Sequence, residues 1–263
     1  METVEIIGYI AALLIGVILG LLGGGGSILT VPLLVYVMGY NPVIATAYSL
    51  FVVGTSSIAG VAQKLRMGLV DLKTGFSFVF PSFIAVYLSR RYLVPALPET
   101  FFTIGDFEFT QSMGLMLFFA FVMLYSAFAM IRSKNSDKET SKKIPYYMIF
   151  IQGIAIGFIT GMIGAGGGFL YVPALVLWSG LPMKKAVGTS LVIIAVNSLI
   201  GFSGDLQNLE IEWVFLLIFS LLTLIGVLIG GKLSKYVPNK KLKKSFGYFI
   251  LVMSFYIIYK ELL

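Results

Sequence analysis

The chain contains no cysteine and no histidine. Disulfides, thiol chemistry, the usual zinc and haem ligand sets and a Ser-His nucleophile therefore lack their essential residues. Charge is scarce as well: 12% of the 263 residues are charged and 58% are hydrophobic, and mean hydropathy is +0.97. No Asp, Glu, Lys or Arg falls within 6–63, 74–89, 109–131, 144–183, 186–204 or 213–231. An intramembrane carboxylate is the usual proton relay or cation ligand, so proton pumping or sodium coordination by side-chain charge finds no candidate there. An intramembrane enzyme is hard to build from this inventory, and neither a cofactor nor a metal is expected.

What is present is apolar sequence in long runs. Crossing a hydrocarbon core of about 30 Å takes about 20 helical residues, and several runs reach that length with only short loops between them. This pattern predicts an all-α polytopic membrane protein. The N-terminal run is preceded by Glu2 and Glu5 rather than lysines and lacks a small-residue cleavage pattern, so it reads as a retained segment, not a signal peptide. The formal charge of +7 fits cytoplasmic loops better than nucleic acid. The bilayer is the expected partner, and a homo-oligomer is compatible with the sequence.

The chain repeats itself. Residues 20–34, GLLGGGGSILTVPLL, align without a gap on 161–175, GMIGAGGGFLYVPAL, at an offset of 141, with eight of fifteen positions identical. Each glycine costs roughly 1 kcal/mol relative to alanine inside a helix, so the helix should break twice, at equivalent points. In the first half an arm over 6–22 leads to a break at 23–26 and a short arm over 27–38, with Pro32 in its first turns. Full spans follow at 43–63, 74–89 and 111–131. The polar stretch 132–143, RSKNSDKETSKK, links the halves. The second half has arms at 145–163 and 169–178 around a break at 164–168, then spans at 186–203, 213–231 and 246–259. The domains are thus a first repeat, 1–131, a cytoplasmic linker, 132–143, and a second repeat, 144–263.

Loop charge gives the orientation. Loops 132–143 and 232–244 are rich in lysine and should be cytoplasmic, whereas 205–212 holds three acids and no base and should be outside. Its equivalent in the first half, 64–73, is basic and should be inside, while 99–108 is acidic and should be outside. Equivalent loops facing opposite sides imply inverted-topology repeats, which need an odd number of crossings in each half. Three spans plus a broken pair that enters and leaves on one side satisfy this, with both termini outside.

In lipid, non-helical backbone is tolerated only inside protein or along a watery cavity, so the breaks should face inward. Beyond each, a new helix presents unpaired N–H groups and the positive end of its dipole, and glycine lets an anion approach closely. Gly24, Gly25, Gly26 and Ser27 form one such cup, and Ala165, Gly166, Gly167 and Gly168 the other. The helix after each break supplies Ser49 and Ser57, or Ser190 and Asn197, as donors near the bilayer midplane. Serine in a membrane helix often only bonds the carbonyl one turn back, and Gly16, Gly20, Gly153, Gly157 and Gly161, at four-residue spacing, fit tight helix crossing better than binding. GGGGS lacks the Lys-Ser/Thr of a phosphate loop and follows no strand.

The doubled motif GxxG-x-GG-xxxxVP, the small-residue helix after it and the elements at Val70-Asp71-Leu72 and Ile211-Glu212-Trp213 resemble the TauE/SafE family of membrane transporters, along essentially the whole chain. The copies differ at Ser27 against Gly168 and at Gly24 against Ala165. The resemblance implies a transporter of sulfite or organosulfonates such as sulfoacetate in a prokaryotic plasma membrane. Alternatives are an anion channel sharing the same cups, a transporter of another small organic anion, a membrane enzyme, which the missing His and Cys disfavour, and an assembly subunit.

Overall fold

A computed structural model describes residues 3–104, 107–132, 146–163, 166–206 and 209–262. Helices α1 (Thr3–Leu22) and α2 (Gly25–Pro32) form the first broken pair, and α2 runs on through a π-helical turn, Leu33–Val37. Helix α3 (Pro42–Arg66) follows. Then α4 (Leu72–Leu88) passes through a second π turn, Ser89–Leu93, into the short α5 (Val94–Ala96). Strands β1 (Thr100–Ile104) and β2 (Phe107–Thr110) precede α6 (Gln111–Arg132). The second half comprises α7 (Tyr146–Ile163), α8 (Gly168–Leu177), α9 (Met183–Asp205), α10 (Trp213–Leu233) and α11 (Asn239–Leu262).

Among the described residues six helices are long and apolar enough to cross a membrane: Pro42–Arg66, Leu72–Ala96, Gln111–Arg132, Met183–Asp205, Trp213–Leu233 and Asn239–Leu262. They coincide with the six full spans read from the sequence. The protein is an all-α, multi-pass membrane protein. Local signals fix several helix starts. Pro42 stands in the first turn of α3, where its missing N–H is no loss, and the Asn41 side chain accepts from the Val43 N–H. Asp71 Oδ1 accepts from the Thr74 N–H at the start of α4.

Three local features differ from expectation. The acidic loop before α6 carries a two-stranded antiparallel ribbon, in which Phe102 stacks on Phe109 with ring centroids 5.0 Å apart. Its β-branched and aromatic residues suit a strand pair more than a coil. Helix α11 begins at Asn239 rather than 246, because the lysines of that stretch are also good helix formers. Pro32 is the last residue of α2 rather than one in the first turns of the short arm.

The first broken pair folds back on itself. Gly8, early in α1, stands so close to Met38, past the end of the second arm, that a Cβ on Gly8 would lie 2.8 Å from Met38 Sδ. It is a hairpin. Beside the second pair lies a cavity of about 450 Å³ among α6, α7 and α8, lined in part by Tyr125, Gln152, Leu170 and Trp178.

Packing between the halves is reciprocal. Helix α1 packs on α10 and α7 on α4; α10 also packs on α3 and α4 on α9; α3 packs on α9 and α6 on α11. At the offset of 141, each of the first two pairings is the counterpart of the other. The crossing residues correspond one to one. A Cβ on Gly16 would lie 2.0 Å from Thr223 O, and one on Gly20 would lie 2.2 Å from Val227 O. In the other crossing, Gly157 stands against Ser82, whose O would be 2.5 Å away, and Gly161 against Val86, whose O would be 3.0 Å away. These glycines serve close helix approach, as their four-residue spacing suggested.

Gly20→Ala should therefore lower stability by at least about 2 kcal/mol through overpacking. Gly75→Ala is the control, since the nearest atom to its new Cβ would be at 3.4 Å. Thermal unfolding of the purified variants should separate them, with Gly75→Ala equal to or above the parent protein.

Candidate functional site

The two breaks meet at the centre of the molecule. The chain leaves α1 through Gly23, at φ +72°, and re-enters helix at Gly25, so Gly25, Gly26 and Ser27 already belong to α2. The second break ends with Gly166 and Gly167, at φ +62° and +71°, before Gly168 opens α8. Ala165 lies outside the described residues. Backbone faces backbone: a Cβ on Gly24 would fall 2.3 Å from Gly168 C, and one on Gly168 would fall 2.4 Å from Gly24 Cα. Only glycine fits on either side, and the contact leaves no room for an ion between these two residues.

Around this contact the polar side chains come from the helices that follow each break. Ser190 Oγ donates to Val187 O at 2.9 Å and lies 3.1 Å from Gly23 O, which ties α9 to the first break. Ser198 Oγ stands against the second break, 2.8 Å from where a Cβ on Gly166 would lie. Asn197 Nδ2 donates to Ser82 Oγ at 2.6 Å and to Tyr171 Oη at 2.7 Å, joining α4, α8 and α9. Its donor capacity is thereby used, and Oδ1 is left buried without a partner. The hydroxyls of Ser49, Ser57 and Ser198 are also buried and unpartnered. In contrast, Ser56, Ser82, Thr55 and Thr30 each donate to a carbonyl one turn back, the ordinary use of a hydroxyl in such helices. An unmade hydrogen bond on a buried group costs about 1–3 kcal/mol, so three idle hydroxyls on α3 and α9 need a reason.

The sequence model described as "Sulfite exporter TauE/SafE" matches residues 8–257. The chain belongs to the TauE/SafE family. A "Probable membrane transporter protein" of Xylella fastidiosa is 27% identical over 259 residues, covering 94% of this chain and 92% of its own. The "Probable membrane transporter protein YunE" of Bacillus subtilis is 28% identical over 250 residues, with 90% and 89% covered. A Haemophilus influenzae protein of the same description is 27% identical over 259 residues, with 92% and 93% covered. No solved structure matches.

This TauE/SafE chain also buries charges that sequence reasoning passed over. Arg90, Asp205 and Lys64 each stand one residue beyond a charge-free window, and each is almost wholly buried. Arg90 lies in the π turn after α4. Its Nε donates to Asp205 Oδ2 at 2.8 Å, one terminal nitrogen donates to the same oxygen at 2.6 Å, and the other donates to Thr46 Oγ1 at 3.1 Å. Lys64 Nζ donates to Ser234 Oγ just past the C-terminus of α10, where the helix dipole favours a cation. Asp205 and Lys64 are equivalent positions at the offset of 141. The signal available in the sequence was the abrupt end of each uncharged run; what lay behind it was not.

The hydrogen bonds separate two serines that the sequence cannot tell apart. Ser190→Ala should lower the melting temperature, losing about 0.5–1.5 kcal/mol with its bonds. Ser198→Ala, removing a hydroxyl with no partner, should leave stability unchanged or raise it. A differential scanning measurement on both purified variants checks this, and a larger loss for Ser198→Ala would contradict the arrangement.

Proposed function

We propose that this TauE/SafE protein is a secondary transporter of small sulfur-containing anions, sulfite or organosulfonates, in a prokaryotic plasma membrane. Transport as such rests on membership of the family. The sulfur class is what the family description implies; the observation that carries the anion reading is the meeting of two glycine breaks among idle buried hydroxyls in a region without formal charge. Glycine backbone, the N-terminal ends of α2 and α8 and the hydroxyls of Ser49, Ser57 and Ser198 are donors without counter-charges, which suits an anion held weakly enough to leave again. Gly24, Gly25, Gly26, Ser27, Ala165, Gly166, Gly167 and Gly168 would line the two cups. Ser190 would anchor α9 to the first, and Asn197 would orient Ser82 and Tyr171 beside the second.

In this reading the direct contact of Gly24 with Gly168 is a closed arrangement that parts to admit the anion. That favours a carrier over an open channel. The reciprocal packing at an offset of 141 supports two inverted repeats, 1–131 and 144–263, joined by a cytoplasmic linker and with both termini outside. A divalent ion entering an uncharged site loses more hydration than a monovalent one, so a sulfonate or the singly charged form of sulfite should bind better.

Sulfite, methanesulfonate, sulfoacetate and sulfate, added in turn to the purified protein, test the substrate class. A ligand at 100 times its Kd stabilises the native state by about 2.7 kcal/mol, so the first three should raise the melting temperature by several degrees. Ser198→Ala should shrink that shift without lowering the starting value. If none of the anions stabilises the protein, the anion reading fails. The topology is tested separately, by single cysteines at the exposed Arg66, Lys240 and Glu210. The first two should react with an impermeant reagent only from the cytoplasm and the third only from outside; reaction of Arg66→Cys and Glu210→Cys from one side would exclude inversion.

A further inference from the structure

The buried ion pair lies on the seam between α3 and α9, and that seam leads to the second break. Thr46, which accepts from Arg90, stands seven residues before Val53, whose Cγ1 would be 3.2 Å from a Cβ on Gly166. Asp205 stands seven residues after Ser198, which faces the same glycine at 2.8 Å. Seven residues are two helical turns, about 10 Å of axial rise. Along both helices, then, the ion pair sits about two turns beyond the break, on the faces that converge there. Ser49, buried and unpartnered, is one turn from Thr46 on this path. Leu50 packs against Gly201 across it.

Position alone would allow a purely structural bond. The chemistry adds a second point. Arg90 comes from the first half and Asp205 from the second, so the pair bridges elements whose separation would open the seam. A guanidinium that grips a carboxylate through two nitrogens presents the same fork to a sulfonate or sulfite. Asp205 thus occupies, at Arg90, the place an oxyanion would take. Neutralising one partner of such a pair leaves the other buried without a counter-charge, which favours opening towards water.

We propose that Arg90 and Asp205 form a gate across the α3–α9 seam, and that Arg90, once released by Asp205, is the first ligand of the entering oxyanion. The proposal rests on the anion-transport reading given above. It assigns the pair a role in access and adds a charged binding residue outside the uncharged centre.

The absence of native cysteine makes a direct test possible. Ser49→Cys would be the only thiol, and its rate of alkylation by a polar maleimide in lipid nanodiscs reports opening of the seam. The rate should be low beside the intact pair. In Asp205→Asn it should rise at least about tenfold, as expected when one side of a buried pair loses its charge. Methanesulfonate should slow the reaction in Asp205→Asn, where Arg90 is free, and slow it at least about threefold less in Arg90→Gln/Asp205→Asn, where the seam is loosened but the cation is gone and only the uncharged centre can hold the anion. The double variant leaves no orphan charge, so it carries the accessibility measurement if the single variant fails to fold. Equal alkylation rates with and without the pair, in monodisperse protein, would overturn the gate. A raised rate with the same methanesulfonate protection in both variants, or with none in either, would remove Arg90 as a ligand if the parent protein is stabilised by anions. If no anion stabilises the parent protein either, the anion reading itself falls.

Discussion

Bare backbone has no partner in hydrocarbon, and this constraint shapes the whole molecule. Two helices stop at glycine runs that cannot continue them, and such stops carry N–H and C=O groups that lipid cannot satisfy. The protein answers by pressing one stop against the other, Gly24 on Gly168, with Gly23 O close to the Ser190 hydroxyl. Bringing the stops together forces the remaining helices to wrap around them. The first arm of each half leans on a span of the other half, and glycine at Gly16, Gly20, Gly157 and Gly161 lets those crossings close. Small residues do in lipid what bulky ones do in a water-soluble core, since apolar side chains gain nothing by leaving an apolar solvent.

Charge is arranged around the same centre by exclusion. The middle holds hydroxyls and one amide, while Arg90, Asp205 and Lys64 sit at the ends of their spans. A buried charge needs compensation, and the equivalent ends find it differently. Asp205 has a guanidinium held through two nitrogens; Lys64, at the matching position of the first half, has a serine hydroxyl and the C-terminal end of α10. Near-symmetric packing therefore carries unequal electrostatics.

Much of this was written in the sequence. The six long apolar runs and the double glycine break indicated an all-α membrane fold, because helical length against bilayer thickness and the helix-breaking of clustered glycine are local properties, and the doubled glycine motif with the elements after it carried the family resemblance. The packing role of the glycines at four-residue spacing followed from the same periodicity. Tertiary structure decided which polar groups meet. Ser190 and Ser198 look alike along the chain, yet one has carbonyl partners and the other has none. Asn197 seemed a free donor until Ser82 and Tyr171 took its hydrogens. Arg90 and Asp205, 115 residues apart, became partners only once α4 and α9 were packed together. Hydrogen bonds and ion pairs between distant segments depend on distances of a few tenths of an ångström set by helix packing, and no local pattern of residues encodes those.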